Sequence, residues 1–165
     1  MSTDPSKYVF NHTMIRVKDP KASIHFYTDI LGMKLITKAD YPSGKFTLYF
    51  LAYVDSIPED EDEKKKLAFG MPGVLELTHN WGTEDQPDFQ YANGNTEVGR
   101  GFGHTAILVD DIEKACERFE SLGVKFVKKL TDGSMKNIAF LADPDNYWVE
   151  VSLGCGVYVR VISSY

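Results

Sequence analysis

Between His12 and Val17 the chain alternates in character, HTMIRV, and a strand's two-residue period puts His12, Met14 and Arg16 on one face and Thr13, Ile15 and Val17 on the other. The period then lengthens. Ile24, Tyr27 and Leu31 share one face of a predicted helix that Asp19 can cap, that Pro20 suits in its first turn and that Gly32 can end. Three shorter strand candidates follow: KLITKAD from Lys34, KFTLYFLAY from Lys45 and GVLELTH from Gly73. The same order is written again from His104, where HTAILVDDIEKACERFESLGVKF resembles HTMIRVKDPKASIHFYTDILGMKL of the first copy. His104, Ala106 and Leu108 share a strand face, Asp111 and Gly123 bound the second helix, and KFVKK, NIAFLA and YWVEVSL supply the later strands.

Each copy therefore reads as βαβββ, which makes the fold class α+β. The predicted organisation is a tail over 1–8, a first module over 9–80, a connecting loop over 81–99, a second module over 100–153 and a divergent tail over 154–165. YPSGK from Tyr41 and DPDN after Ala142 read as turns. The charge run EDEDEKKK from Glu59 reads as a solvated loop or helix end without a recognition role. The polar stretch from His79 to Gly99 has no clear period and reads as a linker or a loop rimming a site. VYVRVI in the tail alternates like an added edge strand, with no function attached to it.

Composition narrows the partners. A chain of 165 residues with formal net charge −6 lacks the clustered basic excess of a nucleic-acid surface, so an anionic ligand must meet locally placed cations. Cys116 and Cys155 form no repeated spacing of a disulfide framework or zinc ribbon, which suits a reducing compartment. Neither a secretory leader nor a membrane-spanning apolar run is evident, and the expectation is a cytoplasmic protein without membrane attachment.

The chemistry lies in what repeats. A histidine opens the first strand of each copy and a glutamate lies inside the last, giving His12 with Glu76 and His104 with Glu150. Glu76 sits between Leu75 and Leu77, and Glu150 between Val149 and Val151, so each carboxylate faces away from its apolar neighbours. Brought together, two imidazoles and two carboxylates make a divalent-metal site. His25 and His79 do not repeat in this way and read as a helix-surface and a loop residue. CxxC, HExxH, GxSxG and GxxxxGK[ST] patterns are absent, and GRGFG from Gly99 leads into a strand instead of the helix that a nucleotide loop requires.

The segments NHTMIRVKDPKASIHFYTDILGMKL, LELTHNWGTED, NGN, RGFGH, GVKFVKK and DPDNYWVE resemble the glyoxalase I (lactoylglutathione lyase) family of the vicinal oxygen chelate superfamily, over about Phe10 to Ser152. The resemblance implies two βαβββ modules forming a concave eight-stranded mixed sheet, in a homodimer with active sites at the subunit interface. It implies His12, Glu76, His104 and Glu150 as metal ligands, holding Zn²⁺ or alternatively Ni²⁺ or Co²⁺. The implied reaction isomerises the hemithioacetal of glutathione and methylglyoxal to S-lactoylglutathione through a metal-stabilised enediolate. Glu150 is then the main base, and Glu76 serves the other substrate epimer.

The family's glutathione-binding positions fall on Arg16, Asn80, Arg100 and Lys128. Strand parity places Arg16 with His12 and Asn80 with Glu76, and Arg100 with His104 if that strand continues backwards. An arginine fork suits a tripeptide's carboxylates. A lysine of the family pattern is replaced by Ser134 within DGSMKN, where Lys136 is the candidate substitute. The hydrophobic pocket maps to Tyr41, Leu48, Phe50, Met135 and Phe140. Two other readings of the same modules are an iron dioxygenase, which uses two histidines and only one carboxylate, and a drug-sequestering binding protein, which needs no metal ligands.

Overall fold

A computed structural model describes residues 3–96 and 99–154. The chain divides into two compact units between Phe89 and Gln90. The tail reading of VYVRVI lies outside the described residues.

In the first unit, strand β1 (His12–Val17) leads to helix α1 (Pro20–His25), followed by β2 (Lys34–Tyr41), β3 (Phe46–Ala52), helix α2 (Glu61–Gly70) and β4 (Val74–Asn80). The sheet order is β1-β4-β3-β2, with β1 parallel to β4 and the other pairs antiparallel. Asp19 caps α1 by accepting from the Lys21 N–H, and Pro20 takes the first position, where its missing N–H costs nothing. The helical path continues through a wider π turn over Phe26–Ile30 and stops at Gly32, whose φ of +84° favours glycine.

Register decides the faces. Met14 lies beside Glu76 and Arg16 beside Thr78, while Phe50 lies beside Glu76 on the other flank. One face of this sheet therefore carries His12, Arg16, Glu76 and Asn80 together with Leu48 and Phe50. The opposite face buries Ile15, Val17, Leu51, Leu75 and Leu77, each worth about 1.5–3 kcal/mol of burial. Alternation set by a period of two thus separates a structural face from a chemical one.

The charge run forms the N-terminal end of a helix, the second of the two expectations, and not a solvated loop. Asp60 accepts from the Asp62 and Glu63 N–H groups, acidic residues fill the first turn, and pairs Glu61–Lys64, Asp62–Lys65 and Glu63–Lys66 line it at i,i+3. Leu67 and Ala68 join a cluster with Ile36, Phe50, Ala52 and Val74, so α2 roofs one end of the ligand-bearing face. The first module is thus βαβββ with one helix inserted before its last strand. His79 is likewise no loop residue: it stands in β4, buried at 5% exposure on the core-side parity.

The second unit repeats the plan with β5 (His104–Val109), α3 (Ile112–Ser121), β6 (Phe126–Lys128), β7 (Ile138–Ala142) and β8 (Trp148–Leu153), in sheet order β5-β8-β7-β6. Asp111 caps α3 through the Lys114 N–H, and Cys116 and Phe119 form its buried stripe. Ala139, Leu141, Val149 and Val151 are buried on one side of the sheet. Ala106 and Phe140 flank Glu150 on the other. The described strands thus form two four-stranded mixed sheets, one for each sequence copy.

Candidate metal centre

Each unit brings its histidine and glutamate together. His12 Nε2 stands 3.2 Å from Glu76 Oε2, and His104 Nε2 stands 3.3 Å from Glu150 Oε2. Two donors bound at 2.0–2.2 Å to a common cation lie roughly 3.0–3.4 Å apart for angles between octahedral and tetrahedral, so each pair has the spacing of adjacent ligands. The donor types also suit a borderline divalent ion. Among the described residues no group of three or more His, Cys, Asp or Glu side chains gathers at one point, so each unit carries a two-donor half.

The halves differ in their surroundings. Glu76 is buried, and Thr78 Oγ1 donates to its second oxygen at 3.3 Å. Phe50 and Phe69 set their rings edge-on to His12 at 6.2 and 6.4 Å, and they meet each other at 5.0 Å. His104 is more open, at 41% side-chain exposure, with Phe140 edge-on at 5.2 Å and Trp148 tilted against the Phe140 ring at 5.5 Å. Asn11 Oδ1 lies 2.6 Å from His12 Nδ1, a contact that sequence periodicity could not reveal because Asn11 precedes the strand.

The structure sorts the expected binding residues by unit. Arg16 and Asn80 lie on the His12–Glu76 face, with Leu48 and the buried Phe50 between strands. Tyr41 ends β2 on the same parity, exposed and stacked on Phe46 at 4.8 Å. Lys128 shares the Phe140 face in the second unit, and its Nζ donates to the carbonyls of Lys129, Met135 and Ile138 at 3.2, 2.5 and 2.8 Å. That ammonium closes the loop carrying Ser134 and the exposed Met135, while Lys136 donates to the Thr131 carbonyl.

Arg100 departs from expectation, because β5 begins at His104 and strand parity does not reach back across Gly101 and Gly103. A knot fixes this approach instead. Gly101 N–H donates to the Gly94 carbonyl at 3.1 Å, Asn95 Nδ2 donates to the Gly103 carbonyl at 2.5 Å, and Asn93 Oδ1 accepts from the Asn95 N–H at 3.0 Å. Gly94 has φ +85°, and a Cβ there would meet the Phe102 carbonyl oxygen at 2.1 Å. The NGN motif is thus a brace beside Arg100 and His104, a role that its sequence did not disclose.

A second brace holds the end of β4. His79 Nε2 meets Glu84 Oε2 at 2.7 Å, and the Gly82 N–H donates to the same carboxylate at 2.9 Å. Glu84's own backbone N–H and then His79 hold its carboxyl below the usual value. Trp81 Nε1 donates to Thr47 Oγ1, and Thr83 Oγ1 donates to the Lys18 and Asn80 carbonyls. These contacts fix the chain around Asn80.

Comparison with known proteins places this geometry in a family. The family model described as Glyoxalase/Bleomycin resistance protein/Dioxygenase superfamily matches residues 9–151. The chain is 56% identical over 147 residues to a lactoylglutathione lyase of Pseudomonas aeruginosa, covering 88% of this chain and 82% of that one. It is 55% identical over 152 residues to a lactoylglutathione lyase of Pseudomonas putida, covering 90% and 87%. Among solved structures, the trypanothione-dependent glyoxalase I of Leishmania major superposes with a TM-score of 0.67 at 34% identity, covering 89% of this chain and 87% of that one.

Proposed function

This chain belongs to the Glyoxalase/Bleomycin resistance protein/Dioxygenase superfamily, and from that membership we infer that it is a metal-dependent lactoylglutathione lyase, or glyoxalase I. The observation that carries the reading is the repeated pair: an imidazole and a carboxylate at ligand spacing on the polar face of each sheet. Two carboxylates beside two imidazoles disfavour the dioxygenase reading, whose iron site takes a single carboxylate. The substrate is the hemithioacetal of glutathione with methylglyoxal.

His12, Glu76, His104 and Glu150 would hold the cation, with Zn²⁺ as the ion assigned. When bound, it supplies Lewis-acid stabilisation to negative charge developing on two adjacent substrate oxygens. Glu150 takes the proton from the carbon beside sulfur and returns it to the neighbouring carbon, while the hydroxyl proton passes from the first oxygen to the second, so the aldehyde carbon becomes a thioester carbonyl and the ketone an alcohol without any oxidant. General-base steps of this kind contribute about 10²–10⁴-fold. Glu76 performs the same transfer for the opposite epimer. Arg16, Asn80, Arg100 and Lys128 bind the carboxylates and amides of glutathione, the arginines through bidentate pairing. Tyr41, Leu48, Phe50, Met135 and Phe140 receive the aldehyde's substituent and exclude water.

The assembly assigned is a homodimer with its sites at the subunit interface, in the cytoplasm; no described helix is long and apolar enough to cross a membrane. The experiment is direct. Purified protein is mixed with methylglyoxal and glutathione, and thioester absorbance is followed before chelation, after it, and after Zn²⁺ is returned. Activity that falls with chelation and comes back with zinc is expected; absence of thioester in fully metallated protein overturns the reading.

A further inference from the structure

We propose that Asn11 is a positioning residue that fixes which nitrogen of His12 faces the metal site, an inference that rests on His12 being a ligand. A primary amide has one donating and one accepting end. Asn11 Nδ2 lies 2.9 Å from the Ala68 carbonyl and 2.6 Å from the Met71 carbonyl, at the C-terminal end of α2. Carbonyls only accept, so the NH₂ group must point there. Oδ1 is then the atom 2.6 Å from His12 Nδ1. An amide oxygen cannot donate, so Nδ1 carries the hydrogen and a neutral ring presents the lone pair of Nε2 inward.

That lone pair meets Glu76 Oε2 at 3.2 Å. Two acceptors so placed repel unless a positive centre lies between them. Asn11 thereby builds a cation-seeking arrangement before any cation arrives, as outer partners of ligating histidines do. The brace is anchored from behind. The Asn11 carbonyl accepts from the Val74 N–H at 3.1 Å, extending the β1–β4 ladder, and the ring of Phe69, just before the α2 terminus, stands edge-on to the imidazole. The α2 insertion is thus tied to the metal ligand through one side chain.

The second copy lacks this device in its sequence: the residue preceding His104 is Gly103, which has no side chain to offer. The His12–Glu76 half is therefore the pre-oriented half, and its orientation depends on Asn11.

The test separates orientation from simple tethering of α2. Metal-free ¹⁵N-labelled protein, held alkaline enough to keep imidazole neutral, reports the ring tautomer through two-bond nitrogen–proton correlations. Zn²⁺ affinity is measured on the same samples against a chromogenic chelator. Wild-type His12 is expected in the Nδ1–H form, although free imidazole side chains favour Nε2–H. Asn11→Leu removes both ends of the amide; the tautomer is expected to revert and zinc affinity to fall about 10–100-fold. Asn11→Asp keeps the acceptor and loses the donors, so it restores the tautomer and most of the affinity while sharing faster amide exchange across α2.

A purely structural role predicts the reverse: both variants loosen α2 alike and leave the tautomer and zinc affinity of the folded protein unchanged. That result, or an Nε2–H ring in the wild type, overturns the proposal. If Asn11→Leu fails to fold, the wild-type tautomer and the Asp variant still decide. Wild-type protein that binds no zinc refutes the functional reading instead, and the metal-free tautomer distinguishes the two failures.

Discussion

Replacing Gly94 by alanine tests whether the NGN brace positions Arg100, the cation proposed to bind glutathione. The new Cβ would lie 2.1 Å from the Phe102 carbonyl oxygen and 2.6 Å from its nitrogen, both backbone atoms with no rotamer to yield. Ordinary carbon–oxygen contacts need about 3.3 Å or more, so the two chain segments must part by roughly 1 Å. The φ of +85° adds about 1–2 kcal/mol for a residue with a side chain. The displaced segment carries Arg100, and misplacing a binding group by about 1 Å can cost about 10²-fold. Steady-state kinetics should therefore show kcat/KM for the hemithioacetal down by that order, mostly through KM. Gly73→Ala is the control, because its φ of +75° imposes the same backbone cost with nothing within 4 Å of the added carbon. It should lower the melting temperature and leave catalysis close to wild type. A folded Gly94→Ala protein with unaltered kcat/KM would refute the reasoning.

Three other outcomes can be checked. Phe50→Ala, at a side chain 4% exposed between α2 and the sheet, should cost about 3–5 kcal/mol in urea unfolding; a loss under 1 kcal/mol would show that α2 does not pack as described. Glu150→Gln should keep the fold and much of the metal while turnover falls by about 10²–10⁴, and full activity would remove Glu150 from the mechanism. Glu84, whose pKa is depressed below its ordinary 4.5, adds stability that is complete above that value and drains away as pH falls through the lowered one. Glu84→Gln should accordingly flatten the acid limb of a stability–pH curve, and an unchanged limb would contradict the His79–Glu84 brace.

What could be read from sequence followed from periodicity. Alternation at His12–Val17 and His104–Val109 gave the faces, Asp19 and Asp111 gave the helix starts, and the repeat singled out both histidine–glutamate pairs. What could not be read followed from contacts without a period. In α2 the apolar residues that pack on the cluster, Leu67, Ala68 and Phe69, all follow the charge run, which therefore has no apolar period of its own to distinguish a packed helix from a solvated segment. His79 borders a polar stretch in sequence, and its partner Glu84 comes five residues later, outside any strand pattern, so periodicity alone does not assign it to a strand. Gly101 and Gly103 break the ladder that would carry strand parity back to Arg100, and the braces at Asn11 and Asn95 are side-chain bonds to carbonyls that no alternation encodes.

The most direct measurement is anomalous-difference crystallography on protein loaded with Zn²⁺ or Co²⁺. One ion per site is expected, bonded at about 2.0–2.2 Å by His12, Glu76, His104 and Glu150, with the two halves coming from one chain or from two. Separate ions on the two pairs, or an ion held by residues outside them, would contradict the account.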